Sequence, residues 1–352
     1  MSQTVLITGA FGLVGAETVR RFAADGWRVV AAAHRHAKAV FPPGVETLWV
    51  DLTDPGQVER SVPQLSPDVI VHLAAVIPPM IYCDARLARK VNVGATANLV
   101  HTAEKLPNPP RFLHASSVAV YGARNPYRHS ERLSVDTPFH PCELYGGQKA
   151  EAEEIVRLSS LPWVVLRLGG VLSADPTAMP FSPESVFFGS ALPNDGRVHC
   201  VDTRDVATAF ATAAHADVIG EIFMIAGDDS NLLRHGVIAP ALAAAQGMPG
   251  APPKGRDGNP NDDLGWFPYD WMDVARAQQV LQFQHHSWPQ LLADLRANTG
   301  RKRYLMRPFA PVARQLLRRH GAYRQVPGQY ADPWSELGKR FGPTAWDTAK
   351  LD

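Results

Sequence analysis

The sequence predicts an α/β fold built on a doubly wound parallel sheet, with a smaller lobe over one edge of it. Three observations carry that prediction. Short β-branched runs alternate with helix-length stretches through the first half of the chain, and the first run ends in a glycine-rich turn that opens a helix. After about residue 168 the alternation loosens into segments rich in Pro, Ser and Gly.

Taken in order, "TVLIT" (4–8), "RVVAAA" (28–33), "ETLWV" (46–50), "DVIVHLA" (68–74), "RFLHAS" (111–116) and "WVVLRL" (163–168) are predicted strands. They are apolar along most of their length, as strands covered on both faces must be. Helices are predicted over 13–25, 84–105 and 145–160. Later, "DTRDVATAFATAAH" (202–215) predicts another helix and "GEIFMIAG" (220–227) another strand, whereas "GMPGAPPKGRDGNPNDD" (247–263) is loop chemistry. The organisation that follows is a nucleotide-binding domain over 1–168, rejoined by 198–230. A substrate-binding lobe comes from 169–197 and 231–300, and a basic C-terminal extension covers 301–352.

Composition narrows the partners. The 352 residues carry a formal charge of +1 with 20% charged residues, which favours neither a nucleic-acid partner nor an acidic tail and leaves a small molecule. Cys83, Cys142 and Cys200 show no zinc or disulfide spacing, so a reducing compartment and no metal are expected. The amino terminus has no signal-peptide pattern and no apolar run approaches a bilayer span, so a cytoplasmic protein is expected. Residues 301–352 hold eleven Lys/Arg against four Asp/Glu. Such an arm can touch an anionic partner, but a solvated or subunit-packing extension is the plainer reading.

"TGAFGLVG" (8–15) places Gly9, Gly12 and Gly15 between a strand and a helix, with Phe11 and Leu13 in the same turn. Glycines there let backbone N–H groups approach a pyrophosphate at a helix amino terminus, so a dinucleotide is predicted. The second strand runs into "AAAHRHAK", with Ala33 where an acid for a ribose 2′-hydroxyl is expected, followed by His34, Arg35 and Lys38. Those cations favour a 2′-phosphate, so NADP(H) is expected ahead of NAD(H). Asp51 and Leu52 are candidates for the adenine, and Leu73, Ala74 and Ala75 lie where a dinucleotide must pass close.

In "ELYGGQKAEAEEIV" Tyr145 and Lys149 are four apart, hence on one helical face. By themselves they are equally two polar residues on a solvated helix. With "DL" (51–52), "HLAA" (72–75), "VNVGATANLV" (91–100), "SSVAVYG" (116–122), "YGGQK" (145–149), "VDTRDVATAF" (201–210) and "YDWMDVARAQQVLQF" (269–283), however, the chain resembles the extended short-chain dehydrogenase/reductase superfamily, the NAD(P)-dependent epimerase/dehydratase group. The resemblance spans residues 1 to about 295. It implies a Rossmann-type sheet, catalysis by Ser117, Tyr145 and Lys149, and a homodimer. It also implies Lys149 on the nicotinamide ribose, Asn92 and Gly170 near the cofactor, and Ser116 as a supporting hydroxyl. The chemistry agrees: hydride transfer at a carbinol carbon needs proton transfer at its oxygen. A cation beside Tyr145 is expected to lower its pKa by roughly one to three units.

Within that family, the dehydratases are similar to one another in acids directly after the serine, and decarboxylases and some epimerase-reductases in a Glu or Cys two residues on. Val118 and Ala119 stand there and move no proton. Sugar-nucleotide epimerases typically carry Arg-x-x-Asn where this chain has Arg167-Leu-Gly-Gly170, although Arg197 offers another charge for a phosphate. The aromatics of "MPFSPESVFFG" (179–189) and "LGWFPYDWM" (264–272) suit an apolar or ring-bearing substrate, or simply packing. The reading is hydride exchange with a secondary alcohol or ketone. A sugar-nucleotide 4-epimerase is the first alternative, and a non-catalytic NADP-binding sensor or scaffold the second. His199 and Asp202 read as structural.

Overall fold

The computed structural model describes residues 2–34 and 41–345. Seven parallel strands form the central sheet: β1 (Thr4–Thr8), β2 (Arg28–Ala33), β3 (Glu46–Trp49), β4 (Val69–His72), β5 (Arg111–Ser117), β6 (Trp163–Leu168) and, last in the chain, the strand Ile222–Ile225. Their order is β3-β2-β1-β4-β5-β6 with Ile222–Ile225 at the far edge, so the chain winds outward from β1 in both directions. Side chains alternate across each strand. Val5 and Ile7 therefore join Val71 and Phe210 in the core on one face, and Leu6 joins Val30, Ile70, Leu99 and Phe112 on the other. Two-sided burial explains why these strands are nearly uniform apolar runs.

A second, three-stranded sheet pairs Arg197–Asp202 with Gly170–Leu172 in parallel and with Leu232–Arg234 antiparallel. Asp202 accepts from the Arg204 backbone to start helix Thr203–Ala213, and His199 is held between the Gly227 carbonyl and the Met272 N–H. Both are structural, as the sequence suggested.

Two expectations change. The helix predicted over 84–105 is Ala85–Arg89 and Ala95–Glu104 joined by a wider turn, Lys90–Gly94, with i→i+5 pairing around Asn92. The C-terminal extension, read as solvated or subunit-packing, behaves so only in part. Its first helices, Lys302–Met306 and Ala310–Arg318, lie on the surface. Its last helix, Pro333–Phe341, buries Leu337 with Ile81, Tyr82 and Leu144, and beyond it the Thr344 carbonyl accepts from Leu144 N–H at 2.9 Å. An antiparallel bridge then pairs Ala345 with Glu143.

Candidate active site

The glycine turn is dictated by what a side chain there would strike. Gly9 has φ of +64°, and a Cβ on it would stand 2.7 Å from the Ala74 nitrogen, so the end of β1 lies directly against the chain leaving β4. A Cβ on Gly15 would strike the Gly9 carbonyl. Thr8 Oγ1 closes the same junction, accepting from Leu73 N–H and Ala74 N–H at 3.2 and 3.3 Å. Gly12 begins helix Leu13–Ala24 with no side-chain cap, leaving the helix amino terminus to backbone N–H groups. This cradle fits a pyrophosphate. Phe11 is packed on Phe41 at 4.8 Å between ring centres and serves the turn's shape.

At the far end of β2, His34 lies 3.7 Å from Asp51, and Asp51 accepts from both the backbone and hydroxyl of Thr53. Those hydrogen bonds and His34 hold the Asp51 carboxyl below its ordinary pKa, outweighing its desolvation. His34 therefore faces an acidic partner. Arg35 and Lys38 lie outside the described residues. Leu52 supplies its carbonyl to Asn98 Nδ2 at 2.9 Å, and Ala75 continues the chain that Gly9 approaches.

β5 delivers Ser116 and Ser117 at its carboxyl end, and helix Leu144–Leu158 delivers Tyr145 and Lys149 beside them. Ser117 Oγ accepts from Ala119 N–H at 3.2 Å, which fixes the tight turn Val118–Tyr121. Lys149 Nζ donates to the Ala115 carbonyl at 2.8 Å and stands 5.9 Å from the Tyr145 ring centre. Burial lowers the Lys149 pKa to about 8, with Glu153 opposing. Ser116 Oγ is buried without a hydrogen-bond partner among the described residues.

The structure corrects the expectation for Tyr145. Packing desolvates its phenol and pushes the pKa above the usual tyrosine range; the Ser117 hydroxyl acts against that, and the charge of Glu143 reinforces it. Loss of hydration outweighs the Ser117 hydrogen bond. Glu143 was not foreseen as part of the site. Its buried carboxylate accepts from Tyr145 N–H, Gly146 N–H and Tyr82 OH at 2.8, 2.5 and 2.9 Å, and burial raises its pKa to about 7. Its position just before a helix was the available signal.

Three further candidates are committed elsewhere. Asn92 accepts from Val76 N–H at 2.7 Å and donates to the Val76 carbonyl and Gln148 Oε1, so it braces the chain after β4 against the helix of Tyr145. Arg197 is buried, ion-paired to Asp270 at 2.7 Å and stacked on Trp271, which corrects its assignment to a substrate phosphate. Gly170 lies where a Cβ would meet Val198 Cγ1 at 2.9 Å, so it is small because the second sheet is close-packed there. Arg167 is likewise structural: it grips Glu153 at 2.5 and 3.1 Å, pinning helix Leu144–Leu158 to β6.

A cavity of about 1110 Å³ opens beside the glycine turn, walled by Leu13, Ile77, Met179, Phe181, Ile238 and Leu242 among others. Of the predicted aromatic stretches, Phe181 reaches this wall, while Phe187, Phe188, Phe267 and Tyr269 pack around Tyr145 and the C-terminal helix. Among the described residues no cluster of His, Cys, Asp or Glu is placed to hold a metal, and no helix is long and apolar enough to cross a membrane.

A glycine cradle on β1 of a doubly wound sheet, with Ser, Tyr and Lys gathered at the end of β5, defines a dinucleotide-binding α/β protein of the Rossmann type. The family model described as the NAD dependent epimerase/dehydratase family matches residues 5–226, and the chain belongs to that family. It is 33% identical over 168 residues to methionine adenosyltransferase 2 subunit beta of Rattus norvegicus, covering 47% of this chain and 46% of that one. It is 32% identical over 160 residues to D-erythronate dehydrogenase of Cupriavidus necator, covering 42% and 48%. The chain thus spans about half the length of the curated relatives it matches. In fold it is similar to UDP-glucose 4-epimerase of Thermus thermophilus in complex with NAD, at 21% identity and a TM-score of 0.68 over 84% of this chain and 99% of that one.

Proposed function

We propose that the protein catalyses nicotinamide-dependent reduction of a ketone, or oxidation of the corresponding secondary alcohol. The observation that carries this reading is the gathering of Ser117, Tyr145 and Lys149 at one strand end, beside a glycine cradle, with no further proton-moving group at Val118 or Ala119. Gly9, Gly12 and Gly15 would hold the pyrophosphate, Asp51 the adenine end and Lys149 the ribose. When bound, the nicotinamide supplies or accepts the hydride. Ser117 holds the substrate oxygen, and Tyr145 gives that oxygen its proton in reduction or takes it in oxidation.

A 4-epimerase uses the same three residues, and the likeness to UDP-glucose 4-epimerase keeps it as the alternative. Against it stand the engaged Arg197 and the close packing at Gly170, which leave both without a role on a diphosphate. The sensor reading draws on the likeness to an adenosyltransferase subunit, but such a role needs no proton donor. NADP(H) remains our preference over NAD(H), resting on the missing acid at Ala33. A cytoplasmic homodimer completes the reading.

The test is Tyr145→Phe, followed by nicotinamide absorbance against a panel of ketones and UDP-sugars. The hydride step should fall by about 10² to 10⁴, while cofactor binding, read by fluorescence, stays intact. Near-normal turnover would remove Tyr145 from the mechanism. Sugar epimerisation without net cofactor change would install the alternative.

A further inference from the structure

We propose that the surface formed by residues 301–319 docks the protein on an anionic phospholipid bilayer. From Arg301 to Ala331 the chain holds eight Lys/Arg and no Asp or Glu. The chain as a whole is nearly neutral, so this density of one sign is local.

Helices Lys302–Met306 and Ala310–Arg318, joined by the tight turn Arg307–Phe309, present Leu305, Phe309, Val312 and Leu316 on one stripe, at spacings of four, three and four. These side chains are 71%, 67%, 55% and 50% exposed. Tyr304 and Met306 flank them, also exposed. An apolar stripe this open on a water-soluble fold needs a partner. The run is also too short to span a bilayer, at about 25 Å. An apolar stripe bordered by Arg and Lys is the pattern of a helix lying in the headgroup layer.

Charge selects the occupant. Beside the stripe a hollow of about 750 Å³ is lined by Lys254, Arg314, Arg318, Arg319 and Arg324, and among the described residues none of the five is ion-paired to a carboxylate. Arg314 donates instead to the Gly250 and Pro249 carbonyls, which fixes one guanidinium at the hollow's edge. A dyad-related second copy would set these cations against their own kind, whereas phosphate headgroups neutralise them. Arg314 and Arg318 also line the 1110 Å³ cavity that Leu13 of the glycine turn lines.

Flotation of the full chain with phosphatidylcholine vesicles, with and without phosphatidylglycerol, tests the proposal. Binding should require phosphatidylglycerol and weaken in about 1 M salt, where the screening length falls to about 3 Å. The triple variant Leu305→Asp, Phe309→Asp, Leu316→Asp should lose at least about tenfold in bound fraction, and Arg301→Gln with Lys302→Gln and Arg307→Gln should lose binding too, both with unchanged circular dichroism. Because these side chains are exposed, the variants keep the fold. The proposal falls if vesicles bind without phosphatidylglycerol or not at all. It also falls if the apolar variant changes only the sedimentation coefficient from dimer to monomer, which would make the stripe a contact between copies.

Discussion

The central sheet and the C-terminal extension hold the same helix, Leu144–Leu158, at different points and by different means. β6 grips its middle with a buried ion pair, Arg167 to Glu153, backed by Arg167 stacking on Tyr121 and Phe139. The extension grips its amino terminus through backbone pairing to Glu143 and Leu144 and through the apolar packing of Leu337. The first hold is electrostatic and unforgiving; the second is hydrophobic and graded. Tyr145 and Lys149 lie between them, so the two holds jointly set where the proton donor stands.

The electrostatic hold depends most on Glu153. Both members of its pair are almost wholly buried, and Glu153→Ala leaves the Arg167 charge without compensation. We expect a loss of about 3–5 kcal/mol in denaturant unfolding. A loss below about 1 kcal/mol would mean that water reaches Arg167 and that the grip is weak.

Next comes the extension. Leu337 is fully buried, and Leu337→Ala should cost about 3 kcal/mol, the usual sum of lost transfer energy and a residual cavity. If stability is unchanged, the extension merely rests on the fold. Amide exchange at residues 144–146 should rise in this variant but not in the cation variants below.

These two regions also differ in how far the sequence disclosed them. Each strand of the sheet announced itself through a local apolar run, and Gly9 and Gly15 through a motif whose reason is the contact with Ala74 and the Gly9 carbonyl. The return of Thr344 and Ala345 to residues 143–144 has no such signature, because a backbone bridge across 200 positions needs no particular side chain. Arg197 shows the converse. An Arg near a substrate lobe reads as an anion site until its partner Asp270, remote in sequence, is placed against it. The Tyr145 pKa also escaped, since one helical turn specifies the neighbouring ammonium but not the packing that desolvates the phenol.

Glu143 lies within the extension's hold and makes it sensitive to pH. Its folded pKa of about 7 lies above its ordinary value of 4.5, so between those values the native state keeps a proton that the unfolded chain has lost. The native state is therefore favoured below this window and loses that contribution as pH rises through it. Between about pH 5 and 8 the effect is about 2 kcal/mol. Glu143→Gln removes the titration, so the difference in unfolding free energy between variant and wild type should move by that amount across the window. A pH-independent difference would show Glu143 charged throughout.

The smallest effect is the most discriminating for the extension's surface. Arg301, Lys302 and Arg307 are exposed and carry no ion pair among the described residues, so their charges neither satisfy a buried acid nor anchor a turn. Their conversion to Gln should change unfolding free energy by no more than about 0.5 kcal/mol, as for surface positions without special contacts. Relief of mutual repulsion favours a slight gain over a loss. A loss above about 1 kcal/mol would show the cations stabilising the fold, and the basic surface would need no external partner. A null result in stability, set beside the Leu337→Ala loss, divides the extension at the level of energy: one part holds the helix of Tyr145 and Lys149, and the other is free to meet something outside the chain.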